Sequence, residues 1–129
     1  MKSLPAALAL VSLALAASPA AAAGVGGTWR VTGEVSDRPF TLDCRFEPKG
    51  AGFGGACVEQ AGGDSHVQPG KSHTVTDGAV AGQKVSWSYP VSVMMMKLNI
   101  AFTGSLDGDR MSGAVTTAGR KGAFTATRK

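Results

Sequence analysis

Residues 96–128 decide the fold class and read MKLNIAFTGSLDGDRMSGAVTTAGRKGAFTATR. They contain DGDR at 107–110 and AGRK at 118–121, which share the pattern x-Gly-x-basic. Each tetrapeptide places glycine at the first central position of a two-residue turn, where a type II′ hairpin needs a positive φ. Alternating apolar residues flank both turns, as expected for half-buried strands. The stretch therefore predicts three consecutive antiparallel strands.

The two turns also predict how these strands pair. They place Leu106 opposite Met111 and Phe102 opposite Val115 in the first hairpin, and Val115 opposite Phe124 in the second. The apolar side chains then share one face, whereas a one-residue slip would divide them between two faces. Turn chemistry and hydrophobic pattern therefore agree, which favours the assignment.

The same turn pattern recurs upstream as AGQK at residues 81–84. It places Val80 opposite Val85 and Gly78 opposite Trp87. The pair Asp77-Gly78 is a competing hairpin signal. We reject a turn there because it would put Val80 out of phase with Trp87.

Two further hairpins are predicted nearer the N-terminus. A turn at Asp-Arg, residues 37–38, places Val35 opposite Phe40, and the KGAG turn that follows places Cys44 opposite Cys57. An even number of cysteines in an exported chain indicates a disulfide. We expect a cross-strand Cys44–Cys57 bond on the inner face, worth about 3 kcal/mol by loop closure.

These turns divide the chain into eight strands, with an irregular loop over 60–71 and a longer connection over 90–95. Consecutive antiparallel strands with short turns favour a closed barrel, because closure removes exposed strand edges. We predict an all-β fold with a single eight-stranded antiparallel up-and-down (meander) barrel. Its strands are expected at about 28–36, 39–47, 53–59, 72–80, 85–91, 96–106, 111–117 and 122–128.

Residues 1–23 have the features of a secretory signal peptide. A basic start is followed by an apolar stretch and by small residues ending at Ala21-Ala22-Ala23. Cleavage near Ala23 would leave residues 24–129 as one β-barrel domain, in the periplasm or secreted. The apolar stretch is too short to span a membrane. The formal net charge is +4, and the basic residues are scattered, which argues against a nucleic-acid partner.

Gly27, Trp29 and Arg128 give the chain a family resemblance. Gly27-Thr28-Trp29 opens the first strand, and Arg128 ends the last. This arrangement resembles the calycin superfamily, which includes lipocalins, avidins and fatty-acid-binding proteins. The resemblance implies that the late basic residue packs across the tryptophan where the barrel closes. The chain departs from these families in its short length, its two tryptophans and the lack of a predicted helix.

Few polar side chains are predicted inside the barrel. They are Thr76, Tyr89, Thr117 and Arg128, and Glu59 at a strand end is the one carboxylate directed inward. General acid–base catalysis needs titratable groups in a sheltered cleft, so this interior argues against an enzyme. No glycine-rich segment precedes a helix, and we predict no cofactor.

Two groups of residues in the sequence have side chains that can bind metal ions. His66, with Asp64 and with His73 on the outward phase of a strand, could form a surface site for zinc or copper, or could simply be solvated. Met94-Met95-Met96 could bind Cu(I), or could pack as flexible apolar filler at the barrel mouth. We favour the structural alternative at both places and predict no metal site.

Three functions remain open. The favoured one is non-catalytic binding of a small apolar ligand at the barrel mouth. The alternatives are a periplasmic protein-interaction module, such as a protease inhibitor, and a barrel-pocket isomerase or cyclase. Gly104, Gly113 and Ala126 form a row of small residues that indicates either ligand space or close aromatic packing. The predicted ligand-binding residues are Trp87, Tyr89, Met94, Met96 and Phe102.

Overall fold

The computed structural model describes residues 24–62 and 68–129. These residues form nine strands and no helix. The predicted signal peptide, residues 1–23, and the candidate metal ligands Asp64 and His66 lie outside the described residues. The strands are β1 (Gly27–Val35), β2 (Arg38–Lys49), β3 (Gly52–Glu59), β4 (Ser72–Thr74), β5 (Thr76–Ala81), β6 (Lys84–Val93), β7 (Met96–Asp107), β8 (Arg110–Thr117) and β9 (Arg120–Arg128).

The strands close into a barrel, as predicted. Each strand runs antiparallel to its neighbours, and β1 pairs with both β2 and β9. β4 and β5 are separated only by Val75 and together occupy one position, each pairing with β3. The architecture is therefore a closed eight-stranded up-and-down barrel, which confirms the predicted fold class.

Three predicted hairpins have the expected register. The observed pairs include Val80 with Val85, Leu106 with Met111 and Cys44 with Cys57. The glycine at the first central position of each turn has a positive φ, between 60° and 62°. Cys44 and Cys57 form a disulfide, and both are fully buried. The predicted bond and its inward position are thereby confirmed.

Two other hairpins differ from prediction by two residues. Val35 pairs with Arg38 instead of Phe40, and Val115 pairs with Gly122 instead of Phe124, which instead faces Gly113. The turns are Ser36-Asp37 and Ala118-Gly119, and all four residues have a positive φ, as in type I′ turns. A shift of two residues keeps every side chain on its own face, so the inner face is preserved.

The connection between β6 and β7 is shorter than predicted. β6 continues through Pro90 to Val93, and only Met94 and Met95 separate it from β7. Among the described residues, β5 pairs with β6 no further than Ser88, so one side of β6 has no paired strand beyond that point. Proline is tolerated at such an edge because no partner needs its missing N–H.

A β-bulge in β5 overturns three predictions. The register with β6 shifts between Thr76 and Ala79, so the predicted Gly78–Trp87 pair is not formed, and Asp77 has a φ of 54°. One extra residue reverses the alternation of side chains N-terminal to it. Thr76 is therefore exposed instead of inward, and His73 is buried instead of outward. Asp77-Gly78 marks a bulge and not a turn.

One end of the barrel is packed with large side chains. This closed end carries residues 24–26 and the turns 50–51, 82–83 and 108–109. Trp29 is fully buried there, donates from Nε1 to the Val25 carbonyl at 2.9 Å, and has the Arg128 guanidinium 4.4 Å from its ring centroid. Arg128 donates to the carbonyls of Gly24 and Gly26 and to Asp109. Residues 24–26 therefore cover this end.

Candidate functional site

The opposite end of the barrel holds an open cavity of about 580 Å³. This mouth end carries the turns at 36–37, 94–95 and 118–119. Most of the lining is aliphatic or aromatic, and it includes Phe40, Leu42, Val91, Ile100, Phe102 and Val115. The barrel is therefore filled at one end and hollow at the other.

Phe102 separates the cavity from the packed core. Its ring stacks on Trp87 at 4.7 Å and meets Phe124 edge-on at 5.4 Å. On the cavity side it contacts Phe40 at 6.1 Å and Tyr89 at 5.9 Å between ring centroids. Phe102 and Tyr89 line the cavity, whereas Trp87 lies behind Phe102 with only 1% of its surface exposed. Of these three predicted ligand residues, two reach the site directly.

The methionines lie outside the cavity. Met94 and Met96 are 92% and 63% exposed, and Val93 lines the cavity where they were expected. Met94 and Met95 occupy the two turn positions with φ of 49° and 67°. A turn of this type directs both central side chains into solvent instead of the barrel mouth. Met94 and Met96 are therefore not part of the site that Tyr89 and Phe102 share.

The row of small residues does not provide ligand space. A Cβ at Gly104 would lie 2.4 Å from the Ser112 carbonyl oxygen and 3.0 Å from the Phe124 ring. A Cβ at Gly113 would lie 2.1 Å from the Thr103 carbonyl oxygen. Neighbouring backbone and the Phe124 ring fill these positions, so the row serves close packing.

A polar group inside the cavity was missed by sequence reasoning. His73 Nε2 lies 2.8 Å from Glu59 Oε2, and the imidazole stacks on Tyr89 with centroids 4.6 Å apart and planes 16° apart. All three residues line the cavity, and His73 is only 8% exposed. We call Glu59, His73 and Tyr89 the polar wall. The signal that could have found it is Asp77-Gly78, understood as a bulge that turns His73 inward.

The Tyr89 hydroxyl is available as a hydrogen-bond donor because its surroundings favour the protonated form. Burial raises the pKa of its hydroxyl well above the ordinary value, and the negative charge of Glu59 raises it further. Both effects disfavour the phenolate. Because the phenol stays protonated, it can orient a polar group of a bound molecule.

The chemistry available in the cavity is recognition by a few polar groups within an apolar surface. Arg128 lies opposite Trp29 at the closed end and does not line the cavity, whereas Arg38 and Arg120 line the mouth. Within residues 24–62 and 68–129, no group of three or more His, Cys, Asp or Glu side chains could hold a metal ion. The same ranges contain no helix long and apolar enough to cross a membrane.

Comparisons with known proteins identify the fold class. No family model and no curated protein matches the sequence. Two solved structures of redesigned β-barrels are similar. One has a TM-score of 0.58 and 20% identity over 84% of this chain and 95% of that chain. The other, mFAP1 bound to DFHBI, has a TM-score of 0.57 and 18% identity over 84% of this chain and 98% of that chain. At such identities the likeness concerns the fold, and the class is a small closed β-barrel.

Proposed function

We propose that this protein binds a small, mainly apolar molecule in the cavity at the mouth end, without transforming it. The observation that carries the proposal is the cavity of about 580 Å³ in a barrel whose other half is closely packed. Ligand pockets typically occupy about 300–1,000 Å³ and combine an apolar lining with a few oriented polar groups. The cavity and the polar wall have these properties.

The comparison with mFAP1 adds support. That barrel is similar in fold to this chain and was solved bound to DFHBI. A barrel of this class can therefore hold a small molecule. The identity of 18% gives no information about which molecule this chain binds.

Export and calycin-like ancestry belong to the same proposal. The apolar N-terminal segment ending near Ala23 and the Cys44–Cys57 disulfide support an exported, periplasmic or secreted protein. Trp29 and Arg128 pair where β1 meets β9, and their stacking supports the calycin comparison. In that case Trp29 and Arg128 hold the barrel closed and do not contact the ligand.

Titration with the apolar fluorescent probe N-phenyl-1-naphthylamine tests ligand binding. Trp87 should respond because it stacks on Phe102, which lines the cavity. The variant Leu98→Trp fills the cavity from its wall and should abolish binding. Asn99→Trp, on the neighbouring exposed position of the same strand, should bind as wild type does. Equal binding by both variants, or no binding by the wild type, would refute the proposal.

A second candidate function is protein interaction, favoured by the exposed tip of the β6–β7 hairpin. Val93, Met94, Met95 and Met96 are between 49% and 102% exposed there. Exposed apolar clusters often mark interaction sites. Native mass spectrometry of protein purified from its own host separates the two candidates. A retained small molecule favours ligand binding, and a retained protein favours the interaction module.

A further inference from the structure

The polar wall is an unusual feature of an otherwise apolar cavity. Glu59 and His73 are 19% and 8% exposed by side chain, and such burial is unfavourable unless the groups are paired. Asp77 adopts a φ of 54° in the bulge that turns His73 inward. Backbone strain of this kind often occurs at functional sites. A buried, paired polar group in an apolar cavity is a candidate for ligand recognition.

The carboxylate of Glu59 retains acceptor capacity toward the cavity. Oε2 faces His73 Nε2 at 2.8 Å, and Oε1 accepts the Gln68 backbone N–H at 3.2 Å. An ionised carboxylate offers about four lone-pair positions, of which these contacts use two. Glu59 lines the cavity, so a donor on a bound molecule can reach it.

The surroundings of Glu59 are flat and aromatic. His73 and Tyr89 stack nearly parallel, with planes 16° apart, and Tyr89 is followed by Phe102 at 5.9 Å. Aromatic rings prefer stacked or edge-on neighbours, so a planar guest would gain more here than a branched one. The cavity therefore combines aromatic rings, with Tyr89 and Phe102 tilted by 32°, with a hydrogen-bond acceptor.

We infer that the polar wall selects planar aromatic molecules that carry an O–H or N–H donor, and that Glu59 accepts the hydrogen bond from that donor. The inference rests on the proposed function and names the class of ligand. If Glu59 and His73 merely join β3 to β4, the donor on the ligand has no effect on affinity.

The test compares 2-naphthol with 2-methoxynaphthalene by isothermal titration calorimetry. The two probes share the ring system, and methylation removes the donor. The methyl group adds apolar surface, so hydrophobic burial alone would favour 2-methoxynaphthalene. We expect the wild type to prefer 2-naphthol by about tenfold, the effect of one additional hydrogen bond to a charged group.

The variant Glu59→Gln assigns the preference to the carboxylate. It keeps the side-chain volume and replaces the charged acceptor by a neutral amide, so the preference for 2-naphthol should fall several-fold toward unity. Glu47→Gln removes an exposed carboxylate on β2 and should keep the full preference. If Glu59→Gln does not fold, the two probes still test the inference on the wild type.

Each result decides a different point. Equal affinities in the wild type, or a preference that survives Glu59→Gln, would overturn the inference and leave the proposed function intact. Binding of N-phenyl-1-naphthylamine without binding of either naphthalene would have the same consequence. Failure of all three probes to bind would overturn the proposed function as well.

Discussion

The two halves of the barrel are built by the same strands but differ in what fills them. The filled half contains Trp29 and a cluster of aromatic rings in mutual contact, with Phe46 and Trp87 centroids 5.0 Å apart. The other rings of the cluster are Phe53 and Phe124. The hollow half, around the cavity, has smaller inward side chains and the polar wall. Eight strands enclose a space that side chains can just fill, so the choice of inward residues decides between core and cavity.

The two ends of the barrel also differ in how far they are covered by other residues. At the closed end, Arg128 donates to the carbonyls of Gly24 and Gly26, and Trp29 Nε1 donates to Val25. At the mouth end, the described residues contribute the short turns at 36–37, 94–95 and 118–119 and the parts 60–62 and 68–71 of the β3–β4 connection. The filled half is therefore covered at its end, and the hollow half is open to solvent.

The largest expected contrast between the halves comes from the same substitution made in each. Phe124→Ala should destabilise by about 3–5 kcal/mol, because the ring is 2% exposed and contacts Trp87 and Phe102. Phe40→Ala should cost about 1–2 kcal/mol, because its ring borders a space that is already open. Urea unfolding measures both. Equal losses would remove the distinction between a filled and a hollow half.

The disulfide should be the next largest contribution. Cys44 and Cys57 lie on the inner face, and replacing both by alanine should lower the free energy of unfolding by about 3 kcal/mol. The folded double variant should still bind N-phenyl-1-naphthylamine as the wild type does. Alkylation of the wild type in denaturant without reductant should label neither thiol. Labelling of both would show that the bond is absent in the native protein.

The stacking of Arg128 on Trp29 should contribute less. Trp29→Ala should cost about 3–5 kcal/mol in total, because a large buried side chain is removed. A double-mutant cycle with Arg128→Ala should give a coupling of about 0.5–2 kcal/mol, the range for cation–π pairs. Additive effects of the two substitutions would contradict the proposed role in closure.

The smallest effect is expected on the outer surface. Arg30 donates to Asp43 at 2.5 Å, which lowers the pKa of that carboxyl, and Lys129 lowers it further. Because the pKa of Asp43 is lower in the folded protein than in the unfolded chain, the ionised carboxylate stabilises the fold. This contribution is present above the ordinary pKa and is lost as pH falls through the lowered pKa. Asp43→Asn should cost less than about 1 kcal/mol at neutral pH and reduce the loss of stability in acid. An unchanged acid transition would show that the pair contributes nothing.

The sequence predicts the barrel well because the turn residues and the alternation of apolar side chains indicate the same strand pairing. Gly82 and Gly108 mark turn positions, and the errors at Ser36-Asp37 and Ala118-Gly119 shift pairs by two, which preserves the face. His73 was misplaced because one extra residue at Asp77 reverses the alternation, and nothing in the periodicity distinguishes a bulge from a turn there.

The cavity could not be predicted for a different reason. Whether a barrel is filled depends on how inward side chains from all strands share one volume, and pairwise register does not determine this. Trp87 and Tyr89 lie two residues apart on the same face of β6, yet Trp87 is core and Tyr89 lines the cavity. Their difference comes from Phe102, which lies on another strand and separates the two environments.

The most direct test of the division into halves is methyl NMR during titration with N-phenyl-1-naphthylamine. The methyl signals of Val91 and Ile100, which line the cavity, should shift progressively with probe. Those of Val80 and Val85, each 1% exposed in the filled half, should stay nearly constant. Shifts confined to Val80 and Val85, or to the exposed methyl of Met95, would contradict the account of a hollow, ligand-binding half.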